Sequence, residues 1–168
     1  LVALQRGYRM IFVVPDKFAG EKVDVLRAYG AEVVMTDTSV EPDDPRSYYS
    51  VSDRLAREIP GAFKPNQFAN QNGPRGHFET TGPEIWRDTG GRITHFVSAM
   101  GTTGTIMGVS RHLKEQNPGV VIVGAQPAEG ASIPGIRKWP EAYLPKIYDR
   151  ARVDRIEAVA QAEAEVTM

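Results

Sequence analysis

Short apolar runs alternate along this chain with segments whose apolar positions recur every three or four residues. Met10-Ile11-Phe12-Val13-Val14, closed by Pro15-Asp16, is a continuous apolar run of the kind shown by a strand buried on both faces of a parallel sheet. Residues 21–29 place Val23, Leu26 and Tyr29 at helical spacing, and Gly30 is a stop signal. Residues 31–35 read as a second strand, which completes a strand–helix–strand unit with a right-handed crossover. A polar loop with Glu41, Asp43 and Asp44 follows, then a helix over residues 47–59 ended by Pro60-Gly61. Residues 63–76 contain Asn66, Asn70, Asn72, Gly73, Pro74 and Gly76 without period. They predict a long loop, of the sort that carries function, and the candidate subdomain boundary.

The alternation resumes beyond it. Gly82-Pro83-Glu84 opens a helix with proline in the first turn. The preceding Thr80-Thr81 pair is placed to cap that helix, Glu84 suits its dipole, and Trp86 is expected in the core. Residues 94–100 predict a strand, with His95 as a core histidine. Residues 101–105 predict a tight loop, and 106–116 a helix with Ile106, Val109 and Leu113 along one face. Strands over 120–125 and 153–159, a loop over 130–139 and a helix starting at 161 complete an α/β order.

Composition narrows the function classes. The 168 residues are 41% hydrophobic and 24% charged, with 20 basic against 21 acidic side chains and a formal charge of −1. Such a balance speaks against a dedicated nucleic-acid binder. The apolar runs are too short for a membrane-spanning helix. The first residues lack the pattern of a signal peptide. With no cysteine at all, disulfide scaffolds, thiolate metal sites and cysteine nucleophiles are excluded. A reducing, cytoplasmic location is the expectation. His77, His95 and His112 have no metal-like spacing, so no metal site is expected.

The strongest chemical signal is Gly101-Thr102-Thr103-Gly104-Thr105 between a strand and a helix. Two glycines permit backbone conformations closed to other residues, so that successive N–H groups converge. The helix adds its unpaired first-turn N–H groups and the positive end of its dipole. Three threonine hydroxyls add donors at the same rim. A phosphate group fits this donor set, and so does a purely structural turn. The segment is neither a nucleotide P-loop nor a dinucleotide fingerprint. Gln67 and the amides around it are carboxylate-binding candidates, and Arg137 and Lys138, beside Trp139, are candidates for gripping an anion.

The residues also resemble a known family. His77-Phe78-Glu79-Thr80-Thr81-Gly82-Pro83-Glu84-Ile85-Trp86, Gly91-Arg92-Ile93-Thr94-His95-Phe96-Val97-Ser98-Ala99-Met100 and Gly101-Thr102-Thr103-Gly104-Thr105 look like the middle of the cysteine synthases. The Thr-Thr centre of the loop and Ser132-Ile133-Pro134-Gly135-Ile136-Arg137-Lys138-Trp139-Pro140 are similar to the B branch, whereas the A branch usually has Gly-Thr-Gly-Gly-Thr. The resemblance runs from Gly7 onward. It implies an α/β fold with two doubly wound sheet domains of the fold-type II, tryptophan synthase β-like class, both incomplete here. Residues 1–73 would belong to a smaller mobile domain and 74–168 to a larger cofactor domain.

The resemblance further implies pyridoxal 5'-phosphate as cofactor, with Gly101, Thr102, Thr103, Gly104 and Thr105 around its phosphate. Gln67 would meet the substrate carboxylate, and Arg137 and Lys138 the anionic substrate. The implied reaction is β-replacement of O-acetylserine or O-phosphoserine by sulfide or thiosulfate to give L-cysteine, in a homodimer. Another fold-type II lyase such as cystathionine β-synthase, or a non-catalytic phosphate-binding module, would share the loop. Asn70-Gln71-Asn72-Gly73-Pro74 departs from the family's x-Asn-Pro-x-Asn-Pro, and Phe78 stands where tyrosine is common. The family's Schiff-base lysine would lie upstream of residue 1. No catalytic residue is therefore expected within the chain, and as an internal fragment it is expected to be inactive alone.

Overall fold

A computed structural model describes every residue except Ala19, Pro134, Gly135, Arg137, Thr167 and Met168. The chain divides into two compact units, Leu1–Lys64 and Pro65–Met168.

In the first unit, helix α1 (Val2–Gln5) precedes strand β1 (Ile11–Pro15), helix α2 (Gly20–Ala28), strand β2 (Glu32–Thr36) and helix α3 (Tyr48–Glu58). The two strands pair in parallel, Ile11 opposite Glu32 and Pro15 opposite Thr36. The predicted strand–helix–strand unit is therefore present. Gly30, at φ +79°, turns the chain out of α2, a backbone region where side chains other than glycine are strained. Ser47 caps α3 by accepting from the Ser50 N–H at 3.1 Å. Val14, Val23 and Val51 are buried here. The expectation that β1 is buried on both faces fails for Ile11, Phe12 and Val13, which are half-buried. A two-stranded sheet cannot enclose a strand as a wide sheet does.

The second unit holds helices α4 (Asn72–Glu79) and α5 (Thr81–Asp88), strand β3 (His95–Ala99), helix α6 (Gly104–Gln116), strands β4 (Val121–Pro127) and β5 (Arg155–Val159), and helix α7 (Gln161–Val166). The strands form a parallel sheet in the order β3-β4-β5. Ile106, Val109 and Leu113 of α6 are fully buried and pack with Met100, Met107, Val120, Ile122 and Val153. Trp86 packs against this core, as expected. His95 does not: it is exposed and contacts the Thr94 hydroxyl at 3.0 Å. Alternation along β3 turns His95 and Val97 to the open face and Phe96 to the core.

The predicted long loop contains a helix. Residues 72–76 begin α4, because Asn70 accepts from the Asn72 N–H at 2.9 Å and starts the turn. The Thr80-Thr81 pair serves α4 rather than capping α5. Thr80 donates back to the Gly76 carbonyl at 2.8 Å, and its side chain makes no cap bond.

Asp154 ties β4 to the approach to β5. Its carboxylate accepts from the Ile122 N–H at 2.7 Å and from Lys114 at 2.8 Å, while its own N–H donates to the Ile122 carbonyl. The Lys114 ammonium, then the Ile122 N–H, hold its carboxyl below the usual carboxylate range. A depressed folded-state value adds stability above the unfolded pKa of roughly 4 and loses it as pH falls through the folded value. Asp154→Asn is expected to flatten the acid limb of thermal stability below about pH 4. Asp154→Ala is expected to cost about 1–3 kcal/mol, since the N–H of fully buried Ile122 loses its acceptor. Thermal melts across pH read both; an unchanged acid limb in the Asn variant refutes the assignment.

Candidate functional site

The site is built where β3 hands over to α6. Thr103 is the residue before α6 and adopts φ +69°. Gly101 and Gly104 have no positive φ. The left-handed conformation assigned to the glycines is thus carried by a threonine, which costs roughly 1–2 kcal/mol. Such strain concentrates at functional sites. Thr103 is 5% exposed, and its hydroxyl is a buried polar atom without a hydrogen-bond partner.

The glycines have a different use. A Cβ added at Gly101 meets nothing within 4 Å, and at Gly104 the nearest atom is the Thr102 hydroxyl at 3.8 Å. Neither packing nor backbone angle demands glycine at either place. What the missing side chains provide is open space in front of the turn. The first-turn N–H groups of α6 have no intrahelical acceptors, and Thr105, in that turn, is exposed. Backbone donors, a helix dipole and hydroxyls around open space suit a tetrahedral anion carried by neutral groups.

Two other candidate segments converge on this turn. Trp139 donates its indole N–H to the Gly101 carbonyl at 2.7 Å and meets Phe68 edge-on, ring centroids 5.4 Å apart. The Ile147 N–H donates to the Phe68 carbonyl at 3.2 Å. Phe68 follows Gln67, which is exposed on the same turn. Trp139 was singled out only as a neighbour of two cations; it is the bridge between the segments. Lys138 pairs with Glu129 and holds that carboxyl below its usual range. Arg137 lies outside the described residues.

Sequence reasoning missed one participant. His77 on α4 places Nε2 3.2 Å from the Thr105 hydroxyl and Nδ1 2.9 Å from the Thr81 hydroxyl. Its approach depends on Gly108 of α6, where a Cβ would lie 2.2 Å from the Pro74 carbonyl oxygen and 2.7 Å from His77 Cβ. A glycine in mid-helix, where it is costly, was the available signal.

Comparison with known proteins gives the chain a family. The family model described as "Pyridoxal-phosphate dependent enzyme" matches residues 1–166. Cysteine synthase B of Pseudomonas aeruginosa is 53% identical over all of this chain and 55% of its own length. That of Escherichia coli is 47% identical over all of this chain and 54% of its own length. A cystathionine beta-synthase of Oryctolagus cuniculus is 39% identical over 92% of this chain and 30% of its own length. Among solved structures, an O-ureido-L-serine synthase superposes with TM-score 0.86 at 32% identity, over 99% of this chain and 54% of that one. The chain spans about half the length of the curated cysteine synthases it matches. The buried unpartnered Thr103 hydroxyl and the open space at Gly101 fit the phosphate ester of such a cofactor.

Proposed function

Because the chain belongs to the pyridoxal-phosphate dependent enzyme family, of the fold-type II α/β class, we propose that it carries the cofactor-phosphate cradle of a cysteine synthase. The observation that supports this most directly is the donor-lined turn at residues 101–105 with its orphaned Thr103 hydroxyl. In this reading Gly101, Thr102, Thr103, Gly104 and Thr105 hold the phosphate. Gln67 offers its amide to the substrate carboxylate, and Arg137 and Lys138 are the cations for the anionic substrate. Trp139 ties the Gln67 turn to the cradle through Phe68 and the Gly101 carbonyl.

When bound, the cofactor ring supplies the electron sink for β-replacement of O-acetylserine or O-phosphoserine by sulfide or thiosulfate. This chain's residues supply binding and orientation. Lys64 pairs with Asp53 and Lys114 with Asp154. A cradle fixes position but cannot replace a lysine's covalent link and proton transfers. The chain alone is therefore expected to bind without turning over. Residues 1–73 and 74–168 correspond in this reading to a smaller mobile domain and a larger cofactor domain of a cytoplasmic homodimer.

The test is a titration of the protein with pyridoxal 5'-phosphate, followed by ³¹P NMR and by competition with inorganic phosphate. Saturable, phosphate-competed binding without cysteine formation from either serine ester is the expected result. Binding indifferent to phosphate would sink the cradle, and multiple turnovers would sink the inactivity of the isolated chain.

A further inference from the structure

The Thr105 hydroxyl has one proton, and where that proton points decides whether Thr105 helps or hinders an anion. A phosphate oxygen needs a donor. Thr105 contacts His77 Nε2 at 3.2 Å. If Nε2 is bare, Thr105 spends its proton on the imidazole and turns only lone pairs to the cradle. If Nε2 carries the proton, the imidazole donates to Thr105 Oγ1 and the hydroxyl proton is free. A neutral imidazole has a proton on only one nitrogen, so the choice is made at the other end of the ring, where Nδ1 lies 2.9 Å from the Thr81 hydroxyl.

We propose that His77 is a positioning residue for the cradle: the Thr81 hydroxyl donates to Nδ1, the Nε2–H donates to Thr105 Oγ1, and the Thr105 proton is thereby directed to an anionic phosphate oxygen. This rests on the reading of residues 101–105 as the cofactor-phosphate site. The geometry behind it is rigid. His77, in the last turn of α4, and Thr81, the first residue of α5, meet across the joint between the two helices. His77 Cβ sits against α6 at Gly108, where the backbones of α4 and α6 come so close that no Cβ fits. Thr105 lies three residues before Gly108, on the same side of α6. The ring thus reaches one turn along α6, toward its N-terminus, and meets the hydroxyl of the exposed Thr105 in the first turn of that helix. The pair of threonines expected to cap α5 has this second use at Thr81.

Two measurements decide it. First, the ¹H–¹⁵N long-range spectrum of the wild-type imidazole assigns the tautomer without any variant. A protonated Nε2 with bare Nδ1 is expected with phosphate or pyridoxal 5'-phosphate present, and the opposite tautomer overturns the proposal. Second, pyridoxal 5'-phosphate affinity and the ³¹P shift of its bound phosphate are compared among variants. Thr105→Val, which has no hydroxyl, and His77→Asn, whose amide matches Nδ1 but does not reach Thr105, are each expected to weaken binding about tenfold or more, the scale of one charge-assisted hydrogen bond. His77→Gln, whose amide nitrogen reaches the Nε2 position, is expected to stay within about threefold of wild type. The His77→Asn, Thr105→Val double variant is expected to be no weaker than Thr105→Val alone, because both act through one proton. Full additivity, or equal losses for Asn and Gln, overturns the proposal. Failure of wild type to bind in a phosphate-competed manner is a different outcome, which removes the cradle itself.

Discussion

Gly108→Ala is expected to destabilise the second unit by at least about 3 kcal/mol, near the upper end of overpacking costs. The added Cβ would stand 2.2 Å from the Pro74 carbonyl oxygen, 2.7 Å from His77 Cβ and 2.9 Å from the Phe78 nitrogen. All three belong to α4 backbone or to a Cβ, so no side-chain rotation relieves the clash. Helix α4 would have to withdraw by roughly 1 Å or more to reach ordinary contact distances. The helix-propensity gain of alanine, about 1 kcal/mol, is too small to offset this. For a unit of this size the loss corresponds to roughly 10–20 °C in melting temperature. Calorimetry with Gly76→Ala as control checks it. Gly76 is also in a helix, but a Cβ there meets nothing within 4 Å, and its alanine variant is expected to be neutral or slightly stabilising. Equal melting temperatures for the two variants would contradict the close helix crossing.

The second large effect has the opposite signature. Gly101→Val combined with Gly104→Ala is expected to leave the melting temperature within a few degrees of wild type and to weaken pyridoxal 5'-phosphate binding by about a hundredfold or more. The fold has room for both Cβ atoms, because Gly101 meets nothing within 4 Å and Gly104 only ordinary contacts at 3.8–4.0 Å. The new side chains occupy the space the phosphate needs, and the ester loses several charge-assisted bonds at about 1.5–3 kcal/mol each. Paired measurements of unfolding and cofactor affinity check it. Undiminished affinity in a folded variant would show that the phosphate binds elsewhere. Set beside Gly108→Ala, this variant separates the glycines that serve packing from those that serve a ligand.

The same separation shows which features were legible from residue order. The strands at 11–15, 32–36, 95–99 and 121–127, and helices α2, α3, α5 and α6 between them, follow from local periodicity and stop signals. These are interactions among neighbours in the chain, so the chain displays them. The Gly-Thr turn was legible as a turn for a related reason: a strand, small residues and a helix N-terminus follow one another in the chain. Helix α4 was not legible, because Asn72-Gly73-Pro74 has turn composition. Its helix is supported by contact with α6 rather than by propensity.

Residue order alone therefore established the α/β alternation, the parallel crossovers and the likeness of residues 101–105 to a phosphate turn. The positive φ at Thr103 rather than at a glycine, the docking of His77 onto Thr105 and the Trp139 bridge to the Gly101 carbonyl came only from the folded chain. Each of these joins residues from separate segments, or sets a backbone angle against its local preference. Such arrangements are held by packing at a distance, and Gly108, far from Trp139 in the chain and silent as a motif, sets how closely α4 approaches α6.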